Sequence, residues 1–281
     1  MATLSAHIKE TADRLTVALD ALLPRATGPE GRLASAMRYV ALASGQRLRT
    51  YFALECGRLF DVDERALLRV AAALECVHAQ ITLLDALDCL GAKAAGDGPP
   101  AGDVFDDATL ILAGAALSAL AFEILLHPDT HADPRVRDAL SARLAAAIGA
   151  HGAAGGRLMA HQVTETSQDA GLLTRMQRLR TGELIAFAAQ AGAMLARAGE
   201  DVFQALAGFA HDFGLAYQIS AELATSNPEG DVGGFVAVLG RDAARHRVQL
   251  LAGQAKAHLD VFGERAQTLT DAVDFVVAQR L

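Results

Sequence analysis

The sequence predicts an all-α fold, and three observations carry that prediction. Apolar residues make up 52% of 281, with Ala and Leu abundant, aromatics at 5% and no Trp. Ala and Leu lose little side-chain entropy in a helix, so this is the composition of packed helices. Apolar positions recur at helical spacing, and no stretch alternates convincingly as a strand does. No Pro/Gly/Ser-rich linker is long enough to separate two cores, which argues for one domain over residues 1–281.

The elements follow in order. Ser5 to Leu23 reads as an amphipathic helix stopped by Pro24. Pro29-Glu-Gly31 leads into a second helix through about Ser44, and Leu48 to Leu59 forms a third. Asp63 to about Leu90 is long and apolar with a narrow polar stripe, and Gly91 to Gly102 reads as a loop. Further helices are expected near 105–127, 134–151, 171–198, 200–224, 238–258 and 265–280, about ten in all. His127 to Pro134 is a turn and Ser226 to Gly234 a loop. Asp106-Asp107 sits at a helix start, where capping and the helix dipole favour carboxylates.

Several function classes are argued against. A formal charge of −8 does not suit a nucleic-acid binder, and Arg241, Arg245 and Arg247 read as a solvated helix face. Cys56, Cys76 and Cys89 make no disulfide framework. Cys76 and Cys89 are expected on one helix, ~20 Å apart by its rise, too far to bridge. Core packing is the reading for all three, and a reduced cytoplasm the expected location. The N-terminus reads as a polar helix start rather than a signal peptide. Ala108 to Phe122 is apolar but shorter than the ~20 residues of a membrane span, so a buried core helix is expected and no span. His127, Asp129 and His131 read as turn residues rather than metal ligands.

Four segments carry the functional information. They are Ala36-Met-Arg-Tyr-Val-Ala-Leu-Ala-Ser-Gly-Gln-Arg-Leu-Arg49; Ala72-Ala-Leu-Glu-Cys-Val-His78 with Leu84-Asp-Ala-Leu-Asp-Cys89; Phe105-Asp-Asp-Ala-Thr-Leu-Ile-Leu-Ala-Gly-Ala-Ala-Leu117; and Arg180-Thr-Gly-Glu-Leu-Ile185 with Phe213-Gly-Leu-Ala-Tyr-Gln218. In order and spacing they resemble the trans-prenyl diphosphate synthases, most closely the short bacterial farnesyl diphosphate synthase type. The resemblance covers nearly the whole chain and implies a helical bundle around a central cavity. It also implies a reaction that ionises an allylic diphosphate and joins the cation to isopentenyl diphosphate. Magnesium neutralises the leaving diphosphate in such a reaction, held by two Asp-rich clusters on two helices.

Those clusters are depleted here. The first aligns with Asp85-Ala-Leu-Asp-Cys-Leu-Gly91, where Asp85 remains, Ala86 replaces the second aspartate and Gly91 the third. Asp88, three residues from Asp85, would share its helix face and hold one ion weakly. The arginine pair expected after this cluster is replaced by the Ala/Gly/Pro-rich loop. The second cluster aligns with Gln218 to Thr225, and its aspartates fall at Ala221, Glu222 and Thr225. Ala115 and the segment Gly156-Arg-Leu-Met-Ala160 lack further expected aspartates, and the latter also a glutamine. Asp85, Asp88 and Glu222 are thus the catalytic remnant. No cofactor is certain, and only Asp85 and Asp88 suggest a Mg2+ site.

The anion-binding positions are better kept. By resemblance, Arg47, Arg49 and His78 belong to the isopentenyl diphosphate subsite, although Gln46 replaces a lysine beside them. Arg180 and Thr181 stand where Lys-Thr contacts the allylic diphosphate, and Gln218 is retained. Arginine suits paired phosphate oxygens. Glu75, His78, Thr82, Asp85 and Cys89 fall within about 80° on one helix. Gln80, with Ala79 beside it, occupies the position of a bulky aromatic that limits product length in the family, and a glutamine there needs a hydrogen-bonding partner.

Three functions remain open. The first is a catalytically degenerate, non-catalytic or regulatory subunit, as a homodimer or as a heterodimer with an active prenyl diphosphate synthase. The second is a prenyl diphosphate-handling enzyme with weak or altered metal-dependent activity. The third is a carrier or sensor for an isoprenoid or other apolar ligand.

Overall fold

A computed structural model of the chain describes residues 4–43, 47–87, 89, 99–162, 169–225 and 234–278, and all regular structure among them is helical. Two units emerge, residues 1–54 with 63–141, and residues 55–62 with 142–281.

In the first unit, α1 (Leu4–Leu22) buries Ile8, Thr11, Leu15 and Leu19, spaced three or four apart as one helical stripe. It ends just before Pro24, as the proline predicts. Next come α2 (Gly31–Ala41) and α3 (Leu48–Arg58), which belongs to this unit through Leu54 and has Tyr51 and Phe52 fully enclosed. The centre of the unit is α4 (Glu64–Asp85), capped by Asp63, whose carboxylate accepts the Arg65 N–H at 3.2 Å. Leu67, Val70, Leu74, Val77 and Leu83 of α4 are buried. Each such side chain stabilises by ~1.5–3 kcal/mol.

A short α5 (Ala101–Val104) and the long α6 (Asp107–Leu126) follow. The latter runs antiparallel to α4. At one end Arg69 donates to Thr130 Oγ1 at 2.9 Å; at the other, Gly114 lies against Gln80 Cγ and Leu84. Asp106 caps α6, accepting the Thr109 N–H at 2.9 Å, as the acidic pair predicts. The His127–Pro134 turn also forms as expected, with His127 Nδ1 accepting the Asp129 N–H and His131 Nδ1 the Asp133 N–H.

Three expectations need correction here. The helix expected to reach Leu90 stops at Asp85, because the Ala86 N–H is shared between the Thr82 and Leu83 carbonyls and Leu87 N–H turns back to Leu84. This tightened turn ends the helix. Cys89 is therefore exposed and off the α4 stripe, not on a helix with Cys76. Part of the expected Gly91–Gly102 loop is α5, seated so closely that a Cβ on Gly102 would lie 2.9 Å from the Ala86 carbonyl oxygen. Finally, α6 is a core helix on one side only. Leu110, Ala113, Leu117 and Ala121 are buried, but Ile111 is 50% and Leu112 61% exposed. By length and composition alone, α4 and α6 are each apolar enough to cross a membrane; the α4 window is mostly buried.

The first unit ends, and the second resumes, within α7 (Pro134–Ile148). The second unit contains α8 (Ala153–Gln162), α9 (Ala170–Gln177), a π-helical turn (Arg178–Gly182), α10 (Glu183–Leu195), α11 (Glu200–Thr225), α12 (Phe235–Leu239), α13 (Arg241–His258), a 3-10 segment (Asp260–Ala266) and α14 (Gln267–Ala278). The single helix expected over 171–198 is thus α9, the π turn and α10. Helix α8 lies between the helices expected near 134–151 and 171–198 and was not among them. The glycine at 156 has a tertiary reason: a Cβ there would lie 2.4 Å from the Arg180 amide nitrogen, so α8 packs backbone to backbone on the π turn.

Helices α10 and α11 are antiparallel, meeting at Gly182–Gly214 and again where Gln190 Nε2 donates to the Phe203 carbonyl at 3.3 Å. Helix α13 returns along α11, with Arg241 donating to the Leu223 carbonyl at 2.9 Å and His258 meeting Asp212 at 3.1 Å. Phe209 and Phe213, one turn apart, stack inside this layer.

Candidate functional site

The expected anion-binding residues of the first unit surround the turn into α3. Arg47 has a left-handed backbone, φ +44°. Its guanidinium points inward: Nη1 donates to Glu75 Oε2 at 3.2 Å, and Nη2 to the carbonyls of Ala41 and Ala43 at 2.9 and 3.1 Å. Glu75 also accepts from Thr50 Oγ1 at 2.9 Å. Both charged side chains are 6% exposed. Arg47 therefore organises the turn as a buried ion pair. Arg49, two residues on, is half-buried, and its Nε is buried with no hydrogen-bond partner among the described residues. An orphaned cationic donor of this kind suits an anion.

Along α4, His78 is half-buried and its carbonyl accepts from Thr82 Oγ1 at 3.0 Å. Asp85, half-buried, is the last residue of the helix. Asp88 lies outside the described residues. The helix face that Asp85 and Asp88 were expected to share is not provided by α4, which has already ended. Cys76, beneath this face, has its thiol pushed up to about 12 by burial and by the Glu75 charge. Burial likewise holds Cys56 above the usual thiol range. Both read as inert packing.

The expected residues of the second unit gather at the π turn. Arg180 and Thr181 lie within it, half-buried, one step from the Gly182–Gly214 crossing. Gln218 is half-buried one turn beyond Gly214 on α11. A π turn widens the helix at one point and is frequent at functional sites. Immediately after it, Glu183 takes Arg143 Nη2 at 3.1 Å, His211 Nε2 at 3.4 Å and Arg178 Nε at 3.8 Å. The close His211 ring, followed by the Arg143 charge, holds the Glu183 carboxyl below its ordinary range even though burial opposes this. Arg143 is fixed from behind by Gln190 Oε1 at 3.0 Å. Sequence reasoning missed Arg143, Glu183 and His211, because they come from three helices and no local pattern joins them.

Glu222 takes a different part from the one expected. Its Oε2 accepts the backbone N–H of Phe235 at 2.7 Å and that of Val236 at 3.4 Å, so it caps α12. Thr225 donates back to the Ala221 carbonyl at 3.0 Å.

The polyprenyl synthetase family profile matches residues 30–223. The chain belongs to that family. It is 32% identical to a protein described as a probable farnesyl diphosphate synthase of Sinorhizobium fredii, over 92% of this chain and 82% of that one. It is 34% identical to the farnesyl diphosphate synthase of Escherichia coli, over 73% and 68%. Among solved structures it resembles an apo FPP/GFPP synthase of Zymomonas mobilis, with TM-score 0.91 and 37% identity over 99% and 100% of the two chains. The prenyl synthase resemblance and the all-α fold are thereby established.

The described residues do not fit the magnesium ions that the family's chemistry implies. Magnesium needs several oxygen ligands in near-octahedral geometry. Ala86 and Ala221 offer no side-chain oxygen, Asp85 ends its helix, and one oxygen of Glu222 is taken by α12. Among the described residues, no group of three or more His, Cys, Asp and Glu is placed to hold a metal ion.

Proposed function

We propose that this polyprenyl synthetase family member binds a prenyl diphosphate through its arginines and acts as a non-catalytic or regulatory subunit in isoprenoid biosynthesis, not as an ordinary chain-elongating synthase. One observation carries the reading: the cationic positions are kept while the carboxylates are lost or put to structural use. Arg49 keeps a buried, unpartnered donor, and Arg180 and Thr181 sit in a π turn. Glu222, in contrast, caps a helix. Losing metal-assisted stabilisation of a leaving diphosphate adds several kcal/mol of barrier, which is orders of magnitude in rate.

The subunit part of the proposal is supported by α6. Ile111 and Leu112 are 50% and 61% exposed, and with exposed Ala108, Ala115 and Ala119 they recur three or four residues apart, with Leu126, 46% exposed, at the helix end. An exposed apolar stripe of this kind supports an interaction face. A second copy of this chain or an active synthase would cover it, in the cytoplasm where such synthases work on soluble diphosphates.

A second reading, a weak or altered synthase, is favoured by the identity to farnesyl diphosphate synthases over most of their length and by the retained Asp85. Titration with farnesyl diphosphate, with and without magnesium, separates the two. Binding that is unchanged by magnesium, with no turnover of allylic and isopentenyl diphosphates, is the expected result. Magnesium-dependent binding with product formation would establish the second reading.

A further inference from the structure

We infer that Glu183 is a positioning residue: its carboxylate holds the π turn in place and so fixes the direction in which the turn presents Arg180 and Thr181. The sequence alone predicts an unbroken helix over 171–198, so something distant in sequence maintains the break. The backbone marks where it acts. The Glu183 N–H donates to the Arg178 carbonyl, five residues back, which is the hydrogen bond of a π turn. The side chains of the same two residues close the same loop, with Arg178 Nε 3.8 Å from Glu183 Oε1. In an α-helix, residues five apart stand ~140° apart around the axis, so the widened turn is what lets this pair meet. Arg178 is exposed, and at that distance its ion pair adds little energy; it records the register.

The energy comes from two inner partners. Arg143 of α7 donates to Glu183 Oε2 at 3.1 Å and His211 of α11 meets Oε1 at 3.4 Å, and all three side chains are mostly buried. Arg143 is itself held by Gln190 of α10 at 3.0 Å. The His211 ring also rests on the turn, since a Cβ on Gly182 would lie 3.8 Å from its Cδ2. The depressed Glu183 carboxyl keeps this shared anion ionised at neutral pH. Two glycines bracket the turn. A Cβ on Gly156 of α8 would lie 2.4 Å from Arg180 N, and one on Gly214 of α11 would lie 3.5 Å from Gly182 Cα. Closing the turn into α geometry would rotate Arg180 and Thr181 against α10 by one residue's angle, ~100°. That rotation is what the three cations on Glu183 oppose. The lock belongs to the fold and needs no ligand; its effect on a prenyl diphosphate rests on the proposed function.

Hydrogen exchange of the full chain, read by mass spectrometry, tests the lock, beside calorimetric titration with farnesyl diphosphate. Glu183→Gln is expected to speed exchange over residues 178–185 by about tenfold or more, with α4 and α14 unchanged. Farnesyl diphosphate affinity is expected to fall about tenfold, the scale of a displaced binding group. Arg143→Lys, which keeps the charge, should stay near the parent in both, and Arg143→Gln should follow Glu183→Gln. Unchanged exchange at the turn in Glu183→Gln overturns the inference. Faster exchange with unchanged farnesyl diphosphate affinity also overturns it, because Glu183 would then be structural only. If the parent binds no farnesyl diphosphate, the proposed function falls, and exchange alone decides the lock. Should Glu183→Gln fail to fold, His211→Ala, which leaves Arg143 on Glu183, decides instead: exchange at the turn equal to the parent's refutes the lock.

Discussion

Arg47 Nη1 lies 3.2 Å from Glu75 Oε2, and both side chains are 6% exposed. The two residues are remote in sequence, yet this pair joins the turn before α3 to the middle of α4 and takes Thr50 into the same network. Of the two arginines in the Arg47-Leu-Arg49 segment, Arg47 is thereby held in a buried ion pair, while Arg49 keeps a buried Nε with no hydrogen-bond partner among the described residues.

Breaking that pair from one side leaves a buried charge uncompensated, which costs about 3–5 kcal/mol. Arg47→Met alone and Glu75→Gln alone are each expected to lower unfolding free energy by that order in urea titration. The double variant is expected to lose less than the sum of the two. Strict additivity would show that the pair does not exist in solution.

Asp106 is the cap of α6, and its carboxyl is lowered to about 2 by the Thr109 N–H first, then by Arg32 and the Thr109 hydroxyl. The folded value lies below the unfolded one of about 3.9, so its stabilising effect is present above pH 4 and fades as pH falls towards 2. An NMR titration should place the Asp106 midpoint near the low end of that window, and Thr109→Ala should raise it. A midpoint at the free-aspartate value in the parent would remove the cap.

Glu183 follows the same sign. Its carboxyl is depressed chiefly by His211, then by Arg143, so its contribution is present above the ordinary glutamate value of about 4.3 and is lost as pH falls through the folded value. His211→Ala is expected to move the Glu183 midpoint up towards that ordinary value. No movement would assign the depression to Arg143 alone.

The α6 face makes an assembly prediction. Leu112→Glu places a charge on a residue that is 61% exposed, so the fold should tolerate it within about 0.5 kcal/mol. Analytical ultracentrifugation is expected to show a dimer for the parent and a monomer for the variant. A parent monomer at micromolar concentration, with no synthase partner captured, would leave the face without the proposed role.

Gly156→Ala tests the contact behind the π turn. Its new methyl would meet Arg180 N at 2.4 Å, and overpacking of this kind costs about 1–3 kcal/mol. A lowered Tm is the expected result. An unchanged Tm would mean that α8 does not rest on the turn as described.

The sequence by itself determined the helical class, most helix starts and ends, and the residue identities at the positions where the resemblance expects carboxylates. These are local properties: apolar spacing marks α1 and α4, Pro24 and the caps at Asp63 and Asp106 mark boundaries, and Ala86 and Ala221 are identities read directly. Only the tertiary structure decided which of the remaining polar groups are occupied. Arg47 turns inward because Glu75, Ala41 and Ala43 offer acceptors there, and Glu222 leaves its expected part because the backbone of Phe235 and Val236 arrives beside it. The break of the 171–198 helix into a π turn, the helix at Ala153–Gln162 and the grouping of Arg143, Glu183 and His211 likewise depend on neighbours distant in sequence. Helical periodicity is set within a few residues, whereas the partner of a buried charge is set by whichever chain segment packs against it.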